Sequence, residues 1–196
     1  MKDFVYLASQ SPRRRQLLEQ MGVRYELLLA KPDEDTELLE RVMPGEAPLT
    51  YVKRVTQLKL EAAVLRMQTR QLPLAPVLCA DTTVALGRNI LGKPENEQDA
   101  LRILKTLSGQ THRVLTAVAV ASGRRRLLSV SVSKVRFAPM KLSEIKAYVA
   151  TGEPFGKAGA YGIQGLAAAH ISAIQGSYTG IMGLPIFETA QLLKQL

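Results

Sequence analysis

Residues 4–22, "FVYLASQSPRRRQLLEQMG", place a strand, a short loop and a helix in direct succession. "FVYLA" (4–8) is apolar and β-prone enough for a short buried strand. Ser11 suits a helix N-cap, and Pro12 suits the first helical position, where its missing N–H costs nothing. Gly22 is a fitting residue just past the helix end, and "YELLL" (25–29) predicts a second strand. A strand, a helix and a strand in about 25 residues point to an α/β architecture.

The same alternation continues outward. The acidic stretch 31–48, with three prolines, predicts mainly loop, and a long helix is expected over about 49–70. Its expected buried stripe is Val52, Val55, Leu58, Ala62 and Leu65, which places Lys59 at the rim. "APVLCAD" (75–81) predicts a buried strand ending on Asp81, and "VALGRNILGKP" (84–94) a hairpin turning at 87–89. A helix over 96–107, strands over 113–121 and 126–138, and a helix over 141–152 capped by Ser143 follow. Seven glycines in 156–183 exclude a long helix there, and "LPIFETAQLLKQL" predicts a terminal helix. No internal repeat or low-complexity linker interrupts the 196 residues, so one domain is expected.

Composition narrows the function classes. With 46% apolar and 22% charged residues the chain can bury a core. The longest nearly apolar run, "VLTAVAVA" (114–121), is far short of a membrane span, and "MKDFVYLA" does not resemble a signal peptide. A single cysteine, Cys79, excludes an internal disulfide framework, and cytoplasmic location is expected. The net charge of +9 invites nucleic-acid binding, but four Phe, six Tyr and no Trp offer few rings for bases to stack on.

The arginine run after Ser11 poses a chemical question. Cations at a helix N-terminus oppose its dipole, by about 0.3–1 kcal/mol each. The same helix end binds phosphate readily, and Ser9, Ser11, Arg13 and Arg14 add donors suited to it. The alternative is a solvated basic turn. Asp81, at a strand end, suits a divalent cation or proton transfer from water, or merely caps a turn through Thr82 or Thr83. Lys59 either snorkels or reaches a cleft, and Lys93 before Pro94 is equally open. Asp33 and Glu34 lie in the acidic loop, where most carboxylates are solvated. Gln164 in "KAGAYGIQG" offers an amide with donor and acceptor, a match for a uracil or thymine edge, or else belongs to a structural turn. His112 and His170 lack zinc-ligand spacing, and no Ser-His-Asp or P-loop pattern occurs.

Taken together, "LASQSPRRRQLLEQMG", "DE" (33–34), "YVKRVTQLK", "LCADTTV", "ILGKP", "LSGQTHRVLTAVAV", "KAGAYGIQG" and "GSYTGIMGLPIFET" closely resemble the Maf nucleotide pyrophosphatases, in the family's order. The resemblance implies a two-lobed α/β fold: a mixed sheet with flanking helices and a central cleft, similar to the inosine triphosphate pyrophosphatases. It implies hydrolysis of a nucleoside triphosphate to monophosphate and pyrophosphate with a divalent cation, Mg²⁺ or Mn²⁺. By position, Asp81 resembles the catalytic proton acceptor, and Ser9, Arg13, Arg14, Lys59 and Lys93 the phosphate-side residues. Glu34 resembles an acidic partner in the cleft, so Asp81 and Glu34 are the metal candidates. Arg13, Thr82 and Gln164 fall where the family sets base preference, and the wording around Gln164 resembles the dTTP/UTP subgroup. Modified uridine triphosphates are further candidates. Gly156 stands where many relatives have aspartate, Ala167–Ala169 where glycine is common, and Gln10 replaces a small residue. The implied partner is a nucleoside triphosphate, with no membrane and no stable nucleic-acid partner, and a homodimer is common in the family. Competing readings are the sister 7-methyl-GTP pyrophosphatases and a non-catalytic nucleotide- or nucleic-acid-binding regulator of cell division.

Overall fold

A computed structural model describes residues 4–31, 34 and 38–196. Asp33 lies outside the described residues. The chain opens as expected from its first 29 residues: β1 (Val5–Leu7), α1 (Pro12–Gln20) and β2 (Tyr25–Leu27), with β1 and β2 parallel. The acidic segment contributes only a single 3-10 turn, Leu38–Glu40, among its described residues. Then come α2 (Pro48–Thr69), β3 (Val77–Leu86), β4 (Asn89–Leu91), α3 (Glu97–Leu107), β5 (Thr111–Ser122) and β6 (Arg125–Phe137). α4 (Leu142–Ala150), two 3-10 turns (Ala158–Ala160 and Leu166–His170), β7 (Ile171–Gln175), α5 (Tyr178–Met182) and α6 (Ile186–Leu193) complete the chain.

All seven strands join one mixed sheet in the order β2-β1-β3-β5-β6-β7, with β4 on β3. Side-chain alternation divides the sheet into two faces. On one, Val77, Cys79, Ala85, Leu115, Ala117 and Ala119 pack beneath α2. On the other, Leu78, Ala80, Val84, Val114 and Val118 belong to the larger core shared with α1, α3, α4 and α6.

Three expectations need correction. The α2 stripe holds at Val52 and Val55, which are buried, but not at Leu58 and Leu65, which are 41% and 63% exposed; Leu60, Ala63 and Met67 are buried instead. Lys59 and Arg66 therefore sit on the inward side instead of the rim. Asp81 does not end its strand; β3 runs five residues beyond it, and Asp81 pairs in register with Ala117 of β5. Finally, Ser143 lies inside α4, whose first turn is closed by Glu144 Oε2 accepting the Lys141 N–H at 2.6 Å.

The pairing of β3 leaves an opening. Its outer edge meets β1 only at Val77 and Leu78, then meets β4 only from Val84. Leu78 O accepts from Ala8 N at 3.0 Å, so even-numbered residues of β3 turn their backbone groups to this edge. Ala80 and Thr82 consequently present N–H and C=O groups into the gap, and both line the main cavity.

Candidate active site

The gap is the floor of a cavity of about 460 Å³, within the range of small-molecule sites. Asp81, on the α2 face, is 8% exposed, and its Oδ1 accepts from Lys59 Nζ at 2.6 Å. The same ammonium donates to Glu40 Oε1 at 2.7 Å, and Lys93 Nζ donates to Glu40 Oε2 at 2.8 Å. Burial alone would raise the Glu40 pKa, but the two lysines overcome it and hold this carboxyl at about 2. Burial pulls Lys59 the other way, yet Asp81 and Glu40 leave its pKa raised.

Thr82, the next residue, points to the opposite face. Its hydroxyl lies 3.0 Å from Thr116 Oγ1, which donates to Gly180 O at 2.7 Å. Arg14 Nη2 reaches Thr82 Oγ1 at 3.5 Å, and Nη1 donates to Ser9 Oγ at 3.1 Å. The arginines of α1 rest on the carbonyl end of α5: Arg13 Nε on Met182 O at 3.1 Å and Arg14 Nε on Gly183 O at 2.8 Å. Those carbonyls orient the two side chains at the mouth of the cavity and offset part of the unfavourable placement at the start of α1. Burial lowers the pKa of both guanidinium groups, the direction expected of cations short of a counter-charge. Ser11 occupies the N-cap position, but its hydroxyl makes no capping bond; its N–H donates to Ser9 Oγ at 3.2 Å.

The glycine-rich segment closes the far side. Gly159, at φ +72°, packs so tightly on β3 that a Cβ would stand 2.8 Å from Val84 Cγ1. Glu153 ties down the turn after Gln164: Oε2 accepts from Leu166 N and Oε1 from the Tyr148 hydroxyl, both at 2.8 Å. Gln164 itself is exposed and lines the cavity, and no hydrogen bond to its amide is found among the described residues. Tyr161 lines the same wall, its hydroxyl 2.8 Å from Nε2 of buried His112.

Every expected site residue except Glu34 lines this one cavity. Glu34 instead accepts from Arg66 Nε at 2.7 Å and Arg70 Nη2 at 3.2 Å, and the Arg66 bond is the main reason its pKa falls to about 2. Glu40, not Glu34, is the acidic partner of Lys59 and Lys93. Sequence reasoning also missed Arg66 and Lys157, both in the lining. Arg66 follows Lys59 by seven residues on the inward stripe, a spacing that identifies it once the phase of α2 is known. Glu40 lies in an aperiodic loop and has no comparable signal.

Among the described residues no group of three or more His, Cys, Asp or Glu side chains converges on one point. Two carboxylates, Asp81 and Glu40, meet on the Lys59 ammonium. A Mg²⁺-type ion bound to a nucleotide commonly takes one or two carboxylates and completes its shell with phosphate oxygens and water, and this pair fits that demand.

The profile of the Maf family, described as Maf-like protein, matches residues 4–196. The chain belongs to the Maf family. A Polaromonas sp. relative named dTTP/UTP pyrophosphatase is 65% identical over 98% of this chain and 95% of its own length. The proteins of that name from Albidiferax ferrireducens and Cupriavidus pinatubonensis are 63% and 61% identical, over 99% and 100% of this chain and 97% and 98% of theirs. Among solved structures, the Mycobacterium abscessus nucleoside-triphosphatase / dITP/XTP pyrophosphatase aligns over 97% of this chain and 95% of its own, with 14% identity and a TM-score of 0.48. The Staphylococcus aureus Ham1 protein aligns over 70% of this chain and 73% of its own, with 12% identity and a TM-score of 0.42. In this Maf chain no described helix is long and apolar enough to cross a membrane.

Proposed function

We propose that this Maf protein is a nucleoside triphosphate pyrophosphatase that hydrolyses dTTP and UTP to the monophosphate and pyrophosphate, with modified uridine triphosphates as further substrates. The observation that carries this reading is the charge of the cavity. Six cationic side chains line it against two carboxylates, a surplus suited to a triphosphate. The near-identical length and high identity of relatives named dTTP/UTP pyrophosphatase support the same reading.

The side chains divide the work. Lys59 engages Oδ1 of Asp81 and leaves Oδ2 to accept a proton from the attacking water. The water oxygen bonds to the α-phosphorus, the bond from that phosphorus to the bridging oxygen breaks, and pyrophosphate leaves with the electron pair. Ser9, Arg13 and Arg14 hold phosphate oxygens from the α1 side, while Lys59 and Lys93 approach from the α2 side. Positions fixed in advance by Met182 O, Gly183 O and Glu40 spare the reaction that reorganisation. A divalent cation, Mg²⁺ or Mn²⁺, held by Asp81 and Glu40 would supply charge neutralisation on the phosphate oxygens. The Gln164 amide donates to O4 and accepts from N3–H of uracil or thymine, and Arg13 and Thr82 flank the base end. Cytosine presents the reverse pattern, so an amide held in this orientation rejects it. The same reading supports a cytoplasmic location.

The test is pyrophosphate release from a panel of nucleoside triphosphates, with wild type and Asp81→Asn. Turnover confined to dTTP, UTP and close uridine analogues is expected, with kcat about 10²–10⁴-fold lower in Asp81→Asn while nucleotide binding persists. Preference for 7-methyl-GTP would refute the base assignment, and nucleotide binding without any turnover would refute the enzyme.

A further inference from the structure

The cations of the cavity fall into two sets. Beneath α2, Lys59 and Lys93 share Glu40, Lys59 also holds Asp81, and Arg66 holds Glu34. On the other side of β3 stand Arg13, Arg14 and Lys157, with no carboxylate within ion-pair distance among the described residues. Their partners are neutral: the carbonyl oxygens of Met182 and Gly183 for the arginines, and that of Glu153 for Lys157 Nζ. Gly156, just before Lys157, has no side chain to offer.

The place of Lys157 is specific. A side chain added at Gly162 would come within 3.4 Å of Lys157 Cε, so the lysine lies against the turn that leads to Gln164. Arg13 lines the same cavity, near enough for its charge to act on the Lys157 ammonium. Burial and the Arg13 charge hold that ammonium below the ordinary lysine value, against the opposing pull of the Glu153 carboxylate. Lys157 thus bridges the residue that faces the base and the residues that face the phosphates.

We propose that Lys157 binds the α-phosphate of the nucleotide. This assignment rests on the pyrophosphatase reading. The α-phosphoryl group is the part of the substrate that joins sugar to triphosphate, and Lys157 lines the cavity beside the turn that carries Gln164 and within the influence of the Arg13 charge. It is also the group under attack, so charge on its non-bridging oxygens must be steadied while the water bond forms and pyrophosphate departs. Lys157 donates hydrogen bonds throughout and neither gives nor takes a proton. When pyrophosphate has left, Lys157 remains on the monophosphate product.

That asymmetry makes product inhibition the deciding experiment. Inhibition of dTTP hydrolysis by dTMP and by pyrophosphate is measured for wild type, Lys157→Gln and Lys157→Arg, with folding checked by circular dichroism. In Lys157→Gln, kcat/KM falls about 10–100-fold and the inhibition constant for dTMP rises about 10-fold or more, while that for pyrophosphate moves less than about 2-fold. Lys157→Arg keeps the charge and restores dTMP inhibition to within about 3-fold of wild type. Should the glutamine variant fail to fold, Lys157→Met, apolar and close in shape, carries the same expectation. Unchanged dTMP inhibition, or equal weakening of both products, overturns the assignment. Wild type that releases no pyrophosphate from dTTP or UTP overturns the pyrophosphatase reading instead.

Discussion

Replacing Lys59 with methionine leaves Asp81 and Glu40 facing each other without the cation they share. The three side chains are only 19%, 11% and 29% exposed, so water screens them incompletely. Breaking a fully buried pair costs about 3–5 kcal/mol, and an exposed pair contributes about 0–1 kcal/mol. Lys93 stays on Glu40 and softens the loss. The expected destabilisation near pH 7 is therefore about 2–3 kcal/mol. Its pH dependence has a definite sign. Glu40 titrates at about 2 in the folded chain against 4.5 for a free carboxyl, so its contribution is complete above about pH 4.5 and fades as pH falls toward 2. In Lys59→Met the Glu40 carboxyl, without that ammonium, accepts a proton more readily, so the two unfolding curves converge over that range. Urea unfolding of both proteins, followed by far-UV circular dichroism near pH 7 and near pH 3, measures the gap. A gap below about 0.5 kcal/mol near pH 7, or one that is equal at both pH values, refutes the reasoning.

Gly165→Ala puts a Cβ 2.3 Å from Glu153 Oε1 and breaks the clamp on the Gln164 turn, so a stability loss of about 1–3 kcal/mol and a raised KM for dTTP are expected; an unchanged melting temperature would count against the clamp. His112, 2% exposed, is held neutral by burial with a pKa of about 4 against 6.5. Stability should fall by about 1–3 kcal/mol as pH drops from 6.5 to 4, and denaturant titrations of His112→Gln should lack that part of the slope. Chelation by EDTA is expected to abolish pyrophosphate release and added Mg²⁺ or Mn²⁺ to restore it. Glu40→Gln should raise the metal requirement about 10-fold and Glu34→Gln should leave it nearly unchanged, which metal titration of the activity decides.

The order of strands and helices was legible where periodicity is strong. α3 and the long β5 and β6 differ from expectation by at most two residues at an end, because their apolar positions repeat cleanly. α2 lies where expected and buries Val52 and Val55 as expected, but the stripe departs from expectation beyond them, because the inward face looks partly onto a polar cavity. There Lys59 and Arg66 occupy positions a periodicity argument reserves for leucine, while Leu58 and Leu65 face outward. β3 was cut short at Asp81 because Asp-Thr-Thr has the composition of a turn, and only pairing with β5 reveals an uninterrupted strand. The cavity residues were found where local chemistry singled them out, as with the α1 arginines. Glu40 was missed because a loop carboxylate acquires meaning only when tertiary packing brings Lys59 and Lys93 to it.

Within β3, Asp81 and Thr82 are consecutive yet serve opposite faces of the sheet, and both line one cavity beside the break between β1 and β4. Gain of a single residue upstream in this strand would move the carboxylate to the place of Thr82 and leave Ala80 facing Lys59, and loss of one would bring the hydroxyl to Lys59 and turn the carboxylate to the opposite face. Loops around the cavity can lengthen or shorten and still leave that pairing intact. The length of β3 therefore behaves as a fixed gauge: insertions and deletions should be tolerated in the acidic segment and at the β5–β6 turn long before they are tolerated between Val77 and Val84.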